Sequence, residues 1–299
     1  MSIIVLGTVA LDTVKTPFGK RTQMLGGSAV HFAMAARIFT KVNLVAVIGS
    51  DFPEKYITFL QKKGVVLSSL IKTTGETFKW TGEYRGDLNN AITLKTQLGV
   101  LADFKPIISQ KQRKIKNVFL ANIDPDIQRY FLGKIYSPSL VGLDSMNYWI
   151  LNKRNSLIRL LKEVDIYVAN EHEARDLSGE SNLIKAASYL HSLGPRMVLI
   201  KKGEHGALFY DQKQIFCLPA YPTDKVIDPT GAGDTFAGGL MGYLARASKV
   251  SETIIKKAIA YGTVAASFNV EDFGVGRTSC LKRKDLLARL RRFRKYVLF

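Results

Sequence analysis

Asp228-Pro229-Thr230-Gly231-Ala232-Gly233-Asp234-Thr235-Phe236 is the stretch from which the rest of this 299-residue chain can be read. Glycines at 231 and 233 permit a tight turn and let a ligand come close to the backbone. Ala232 to Ala247 reads as a long helix, so free N–H groups and the positive end of its dipole converge at Gly231, Ala232 and Gly233. That is a site for a phosphate or an oxyanion. Asp234 is badly placed merely to bind such a group, because two anions repel. It makes sense as a general base, taking the proton of an acceptor hydroxyl while nearby amides hold a moving phosphoryl group. Capping of the helix is the competing role for the same carboxylate.

Working outward, short apolar strands alternate with helices. Ile166 to Ala169 and Met197 to Ile200 bracket one helix beginning after Asn170 and another near Leu183 to Leu193. Further upstream come strands at Val118 to Ala121 and Leu140 to Leu143, with helices near Asp126 to Leu132 and Asn152 to Leu161. The chain starts with a strand at Ile3 to Ala10; Gly26-Gly27-Ser28 then opens a helix from Ala29 to Phe39, and another strand follows at Leu44 to Ile48. Short buried strands separated by helices predict an α/β fold: a mostly parallel, doubly wound sheet with helices on both faces, three layers in all. Ala207 to Tyr210 and Ile215 to Leu218 read as a hairpin around Asp211-Gln212, and Ser251 to Phe268 as a second long helix.

Two segments break this alternation. Residues 12–22 carry Pro17 and Gly19; residues 73–98 carry the strand formers Thr77, Phe78, Trp80, Thr81 and Tyr84, with turns at Gly82 and Gly86-Asp87. They are expected to pair as a small β-sheet lid inserted in one catalytic domain spanning 1–299, an ordinary edge hairpin being the alternative. The three aromatic residues Phe78, Trp80 and Tyr84 would either cover a substrate or pack lid against core.

Forty-three Lys and Arg against 25 Asp and Glu give a formal charge of +18, which favours anionic partners: nucleic acid, acidic lipid or phosphorylated metabolites. A solvated charged surface fits equally. Lys282-Arg283-Lys284 and the residues on to Lys295 form an amphipathic pattern with a basic face. A basic nucleic-acid-binding or regulatory protein on the same scaffold is therefore the main non-catalytic alternative. Cys217 and Cys280 are too few and too far apart for a disulfide framework or a zinc site, so a reducing cytoplasm is the simpler location. No run of about eighteen uncharged apolar residues predicts a membrane span, and Met1 to Leu6 reads as a strand rather than a leader. A Gly-x-x-x-x-Gly-Lys-Ser/Thr loop is absent, which disfavours a P-loop kinase. His31, His172, His191 and His205 are scattered and specify no metal site.

The nine-residue stretch resembles the C-terminal signature of the ribokinase-like, or PfkB, carbohydrate and nucleoside kinase family, and Gly26-Gly27 opening a helix resembles its N-terminal one. The resemblance runs from Asp12 to the helix beginning at Ser251. It implies an ATP-dependent phosphotransferase with an alcohol acceptor, magnesium as cofactor, a β lid on the α/β domain, and Asp234 as base beside an anion hole at Gly231, Ala232 and Gly233. A ribose-like sugar, a nucleoside and a sugar phosphate all remain open as acceptor. A homodimer formed through the lid is the expected assembly.

Single positions carry over from the family. Asp12 matches an aspartate that holds acceptor hydroxyls, and Gly26 and Gly27 lie where a sugar rests against the chain. His31 stands where many members have asparagine; it would reach a substrate oxygen, stack on a base, or pack beneath the turn. Asn170 and Glu173 match an Asn-x-x-Glu element that organises magnesium and its water, although the same spacing is also a helix capping box. Lys201, Gly203 and Gly206 match a segment beside the nucleotide phosphates, together with Thr230, Gly231 and Gly233 of the signature. Many members have threonine and an apolar residue where Lys201 and Lys202 stand. Asp228 matches an aspartate close to a monovalent cation site, which implies potassium.

Overall fold

In the computed structural model, which describes residues 1–86 and 88–298, alternate side chains of the first strand enter different cores. Ile3 and Val5 join one cluster, with Phe32, Phe119 and Phe236; Ile4 and Leu6 join another, with Phe131, Leu157 and Tyr167. Side chains alternate across a strand, so a strand apolar on both faces must be covered on both. Ile166 and Val168 against Tyr167 and Ala169 repeat the division. This is the three-layer arrangement the sequence predicts.

In chain order the strands are β1 (Ser2–Leu6), β2 (Ala10–Thr16), β3 (Gly19–Gly26), β4 (Lys41–Ile48), β5 (Val66–Lys72), β6 (Lys79–Tyr84) and β7 (Ala91–Gln97). There follow β8 (Asn117–Leu120), β9 (Leu140–Asp144), β10 (Ile166–Asn170), β11 (Met197–Lys201), β12 (Ala207–Asp211) and β13 (Gln214–Leu218). Among the described residues nine of them form one sheet in the order β13-β12-β11-β10-β9-β8-β1-β4-β5. Pairing is parallel from β5 through β11, and β12 and β13 add an antiparallel hairpin. The remaining four make a separate sheet, β3-β2-β6-β7, with β2 and β6 parallel in its middle. Both segments expected to form the lid are in it. Asp87, half of the turn expected at Gly86-Asp87, lies outside the described residues.

Three small residues let the signature helix Ala232–Leu244 sink between its neighbours. A Cβ on Gly238 would overlap the Phe32 carbonyl oxygen of the helix Ser28–Ala36, and one on Gly242 would lie 2.8 Å from Ala36 Cα. On the other side a Cβ on Gly239 would lie 2.9 Å from Gly262 in the helix Glu252–Asn269.

Among the elements that went unread in the sequence, with the short helices Gln110–Arg113 and Gly276–Cys280, are β5 and the helix Glu54–Lys62 before it. Leu60 is the buried residue of that helix, and β5 is a half-buried edge strand interrupted by Ser68 and Ser69, so neither carries a strong period. The single helix expected at Asn152 to Leu161 is two, Asn147–Asn152 and Arg154–Leu161, broken at Lys153 with φ −135°. Lys153 bridges Asp124 and Asp126 at 2.6 and 2.7 Å.

Candidate active site

β9, β10 and β11 are neighbours, so the acid, amide and base that end them lie side by side. Asp144 is in register with Val168, and Asn170 with Lys201, along the carboxyl edge of the sheet, where ligands of doubly wound folds bind. The helix Ala232–Leu244 starts over this edge. Gly231, at φ 72°, is its N-cap, and no side chain caps it. L residues other than Gly visit that backbone region at a cost. Asp234 lies in the first turn and does not fill the capping role; Asp228 Oδ1 instead accepts the Thr230 N–H at 2.9 Å. The Ala232 N–H donates to the Pro229 carbonyl oxygen at 3.0 Å, while those of Gly233 and Asp234 are left for a ligand.

A second helix start faces the lid. Gly27, at φ 95°, begins Ser28–Ala36 without a side-chain cap, and its N–H donates to Asp12 Oδ2 at 3.2 Å. Asp12 sits on lid strand β2, so a core helix and the lid share this carboxylate.

Burial governs the charges. Asp234 retains some accessible surface, yet desolvation lifts its carboxyl from 3.8 to about 7; Asp144 pushes the same way and Lys201 opposes. Asp12 is raised to about 7, first by burial, then by Asp228 and Asp234, with the Gly27 N–H opposing. Glu173 is raised to about 8 by burial, with Lys201 opposing and Asp144 adding to the rise. Burial works against the charge of Lys201, but Asp144, Glu173 and Asp234 outweigh it and hold the pKa above the ordinary lysine value. Acidic groups poised this high are the kind that move protons near neutrality.

Asn170 and Glu173 form the capping box of the helix Glu171–Ser178: Asn170 Oδ1 accepts the Glu173 N–H at 2.8 Å and Glu173 Oε2 accepts the Asn170 N–H at 2.7 Å. One Glu173 oxygen stays outside the box. Among the described residues no group of three His, Cys, Asp or Glu side chains converges as a metal site. The residues fit a magnesium ion carried on nucleotide phosphates and touched through water, since Mg²⁺ keeps several waters and needs few protein oxygens.

A cavity of about 1140 Å³ runs from Phe18 and Tyr84 on the lid, past Lys201 and Gly233, to Phe236 and Ser267. Gly203 and Gly206 line it too, and a Cβ on Gly206 would overlap the Leu218 carbonyl oxygen. At the cavity, lid and core also touch where Tyr84 Oη lies 3.3 Å from Thr230 Oγ1 and Asn89 Nδ2 donates to Glu204 Oε1 at 2.8 Å. Of the three aromatics singled out in the sequence, Tyr84 touches the signature loop. Trp80 lies over Gly82 and donates to Thr93 Oγ1 at 3.2 Å, while Phe78 packs against the second core.

His31 is placed beneath the signature turn. Its ring is 2% exposed, a Cβ on Gly231 would overlap it, and Nδ1 lies 3.1 Å from Asn269 Oδ1. Of the roles open to it in the sequence, packing beneath the turn is the one the geometry fills. Asp228 is fully buried, and its oxygens accept the N–H groups of Thr230 and Gly274, so a cation there would share them. Asp144 was not singled out in the sequence. The signal available was an acid closing an apolar strand, Leu140 to Leu143, in an α/β fold.

At the far end, the basic helix Arg283–Val297 docks through Leu286 and Phe293, both buried. Arg289 also turns inward. It stacks 3.4 Å over the Phe268 ring, pairs with Glu271 at 2.7 Å and donates to Ser267 Oγ at 3.0 Å.

Residues 141–281, which contain Asp144, the capping box, Lys201 and the signature, match the model of the pfkB family carbohydrate kinases. The matched segment is 141 of the 299 residues. The chain is 29% identical to a cytidine kinase of Thermococcus kodakarensis, over 85% of this chain and 92% of that one. It is 27% identical to a nucleoside kinase of Methanothermobacter thermautotrophicus, over 91% and 86%. The crystal structure of the Methanocaldococcus jannaschii nucleoside kinase, a ribokinase-family member, superposes with a TM-score of 0.78 at 22% identity, covering 97% of this chain and 98% of that one. A Giardia lamblia ribokinase superposes with a TM-score of 0.81 at 18% identity, over 98% and 99%. These likenesses support kinase-type phosphoryl transfer to a small-molecule acceptor. No helix among the described residues is long and apolar enough to cross a membrane.

Proposed function

We propose that the protein transfers the γ-phosphoryl group of ATP to a hydroxyl of a nucleoside, with Asp234 as the general base. The observation that carries this reading is the uncapped start of Ala232–Leu244, where free N–H groups and a carboxyl poised near neutrality occupy one turn. The backbone of Gly231, Ala232 and Gly233 holds the anion; Asp12, Gly26 and Gly27 hold the acceptor between lid and core; Lys201, Gly203, Gly206 and Thr230 hold the nucleotide. Asp234 takes the hydroxyl proton as the oxygen attacks phosphorus. Magnesium on the phosphates would add positive charge to the phosphoryl oxygens, held through water by Asn170 and Glu173. A potassium ion near Asp228 would steady the signature turn.

A nucleoside is favoured over a free sugar because a cytidine kinase and a nucleoside kinase match at 29% and 27% identity along 85% and 91% of this chain, against 24% along 91% for a ribokinase. A cavity of about 1140 Å³, just above the ordinary range for one ligand, has room for a nucleoside and a nucleotide together. The lid also offers a surface for a second copy of the chain: β7 is an edge strand, and Ile92 and Leu94 on it are exposed. A monomeric wild type in sedimentation would remove that part.

The test is an ATP and Mg²⁺ assay across nucleosides, ribose and fructose phosphates, with Asp234→Asn as control. Turnover of at least one nucleoside by wild type, and its loss in the variant, is expected. Equal rates for the two proteins on every acceptor would sink the reading.

A further inference from the structure

We infer that Lys201 is a catalytic residue that touches the transferred γ-phosphoryl group, and that Asp144 is the positioning residue that aims it. This rests on the reading of the chain as an ATP-dependent kinase and deepens it. Lys201 closes β11, and its Nζ donates to Asp144 Oδ2 at 2.9 Å, with the two side chains 17% and 4% exposed. The other Asp144 oxygen accepts the Ser145 N–H at 2.7 Å, which fixes the plane of the carboxylate and with it the lysine. A Cβ on Gly233 would come within 2.9 Å of the same Nζ and 3.5 Å of Lys201 Cδ and Cε. The ammonium therefore lies against the first turn of Ala232–Leu244.

That location is electrostatically odd. The start of a helix carries partial positive charge and repels a cation. Lys201 stays because Asp144 grips it and because Glu173 and Asp234 are near enough to act on its charge. A fixed cation and unclaimed N–H groups, side by side on one cavity wall, make a receptor for an anion with several oxygens. Gly233 leaves the gap through which both reach the same oxygens; any larger residue would push the ammonium away.

In the transfer, the acceptor oxygen bonds to the γ-phosphorus as the bond from that phosphorus to the β,γ-bridging oxygen breaks. The bonding pair leaves with ADP and the hydroxyl proton goes to Asp234. Lys201 gains and loses no proton; its N–H groups follow the non-bridging oxygens through the transition state.

The experiment is calorimetric titration of ATP and of ADP, with Mg²⁺, into wild type, Lys201→Met, the Lys201→Met/Asp144→Asn double variant and Asp144→Asn, alongside steady-state kinetics. Methionine alone leaves Asp144 buried without its counter-charge, and the double variant guards against misfolding. In both lysine variants the ratio of ATP to ADP affinity should fall about 10-fold, because one charge-assisted contact to the γ-phosphate is lost. Their kcat should fall about 100-fold. Asp144→Asn should lower kcat about 10-fold while leaving KM for ATP unchanged, since it misaims the lysine without removing it. An unchanged ATP-to-ADP ratio in the folded double variant overturns the inference while the kinase reading stands. A wild type that binds neither nucleotide overturns both.

Discussion

Asp234→Asn should make the protein more stable while it removes the activity. Burial raises the Asp234 carboxyl from 3.8 to about 7, with Asp144 reinforcing and Lys201 opposing. A folded-state pKa above the unfolded value means that the native chain holds the proton more tightly. That contribution to stability is fully present below about pH 4, shrinks as the pH rises, and is gone above about pH 7. Roughly three units at about 1.36 kcal/mol each set a ceiling of ~4 kcal/mol for the loss. Asp234 retains accessible surface, so solvent screening brings the working figure to about 2 kcal/mol. Asparagine does not ionise, and its stability relative to wild type should open from near zero at about pH 4 to ~2 kcal/mol at about pH 8. For a chain of this length that is a rise in Tm of roughly 4 °C. Urea unfolding of both proteins across that range reads the difference directly. A gap that is flat with pH, or a variant less stable than wild type at about pH 8, would refute the reasoning.

The same carboxyl predicts that kcat/KM for the acceptor rises with pH about a midpoint near 7 in the free protein, because the base must first lose its proton. Asp12, also raised to about 7, should steepen the acid limb; a profile flat between about pH 5 and 8 would remove Asp234 from the role. Gly231→Ala should cost at least about 2 kcal/mol in urea unfolding, from a positive φ and from overlap with the His31 ring, and wild-type stability would contradict the turn geometry. Arg289→Met should cost about 2–3 kcal/mol by leaving Glu271 with Arg277 alone and freeing the Phe268 face, and should weaken ATP binding through Ser267, which lines the cavity. Unaltered nucleotide affinity in a destabilised Arg289→Met protein would separate that helix from the site.

The layered fold was legible because strands such as Ile3 to Leu6 and Val198 to Ile200 are apolar on both faces, a pattern with few other outcomes. β5 was not, since an edge strand is shielded on one side only and tolerates Ser68 and Ser69. The tight turn was legible from Gly231 and Gly233, the first held at φ 72° and the second packed where a Cβ would meet Lys201 Nζ. Whether Asn170 and Glu173 cap a helix could be read from their spacing alone, and they do. The Lys201–Asp144 pair lay beyond such a reading: the two residues are 57 apart in sequence and meet only because β9 and β11 flank β10. His31 shows the opposite case. A polar residue in a substrate-motif position was free to face either way, and only the contact with Gly231 and Asn269 decides it.

Asp12 and Asp234 belong to different bodies, the first to lid strand β2 and the second to a helix of the core. With an acceptor gripped by Asp12, the gap between its hydroxyl and the base is a function of the angle between the two sheets. Water, which Asp12 cannot hold by several hydroxyls at once, gains nothing from that geometry. On the proposed function, the division of these two acid residues between a lid strand and a core helix acts as a ruler, favouring molecules long enough to bridge it over the solvent that would hydrolyse ATP to no purpose.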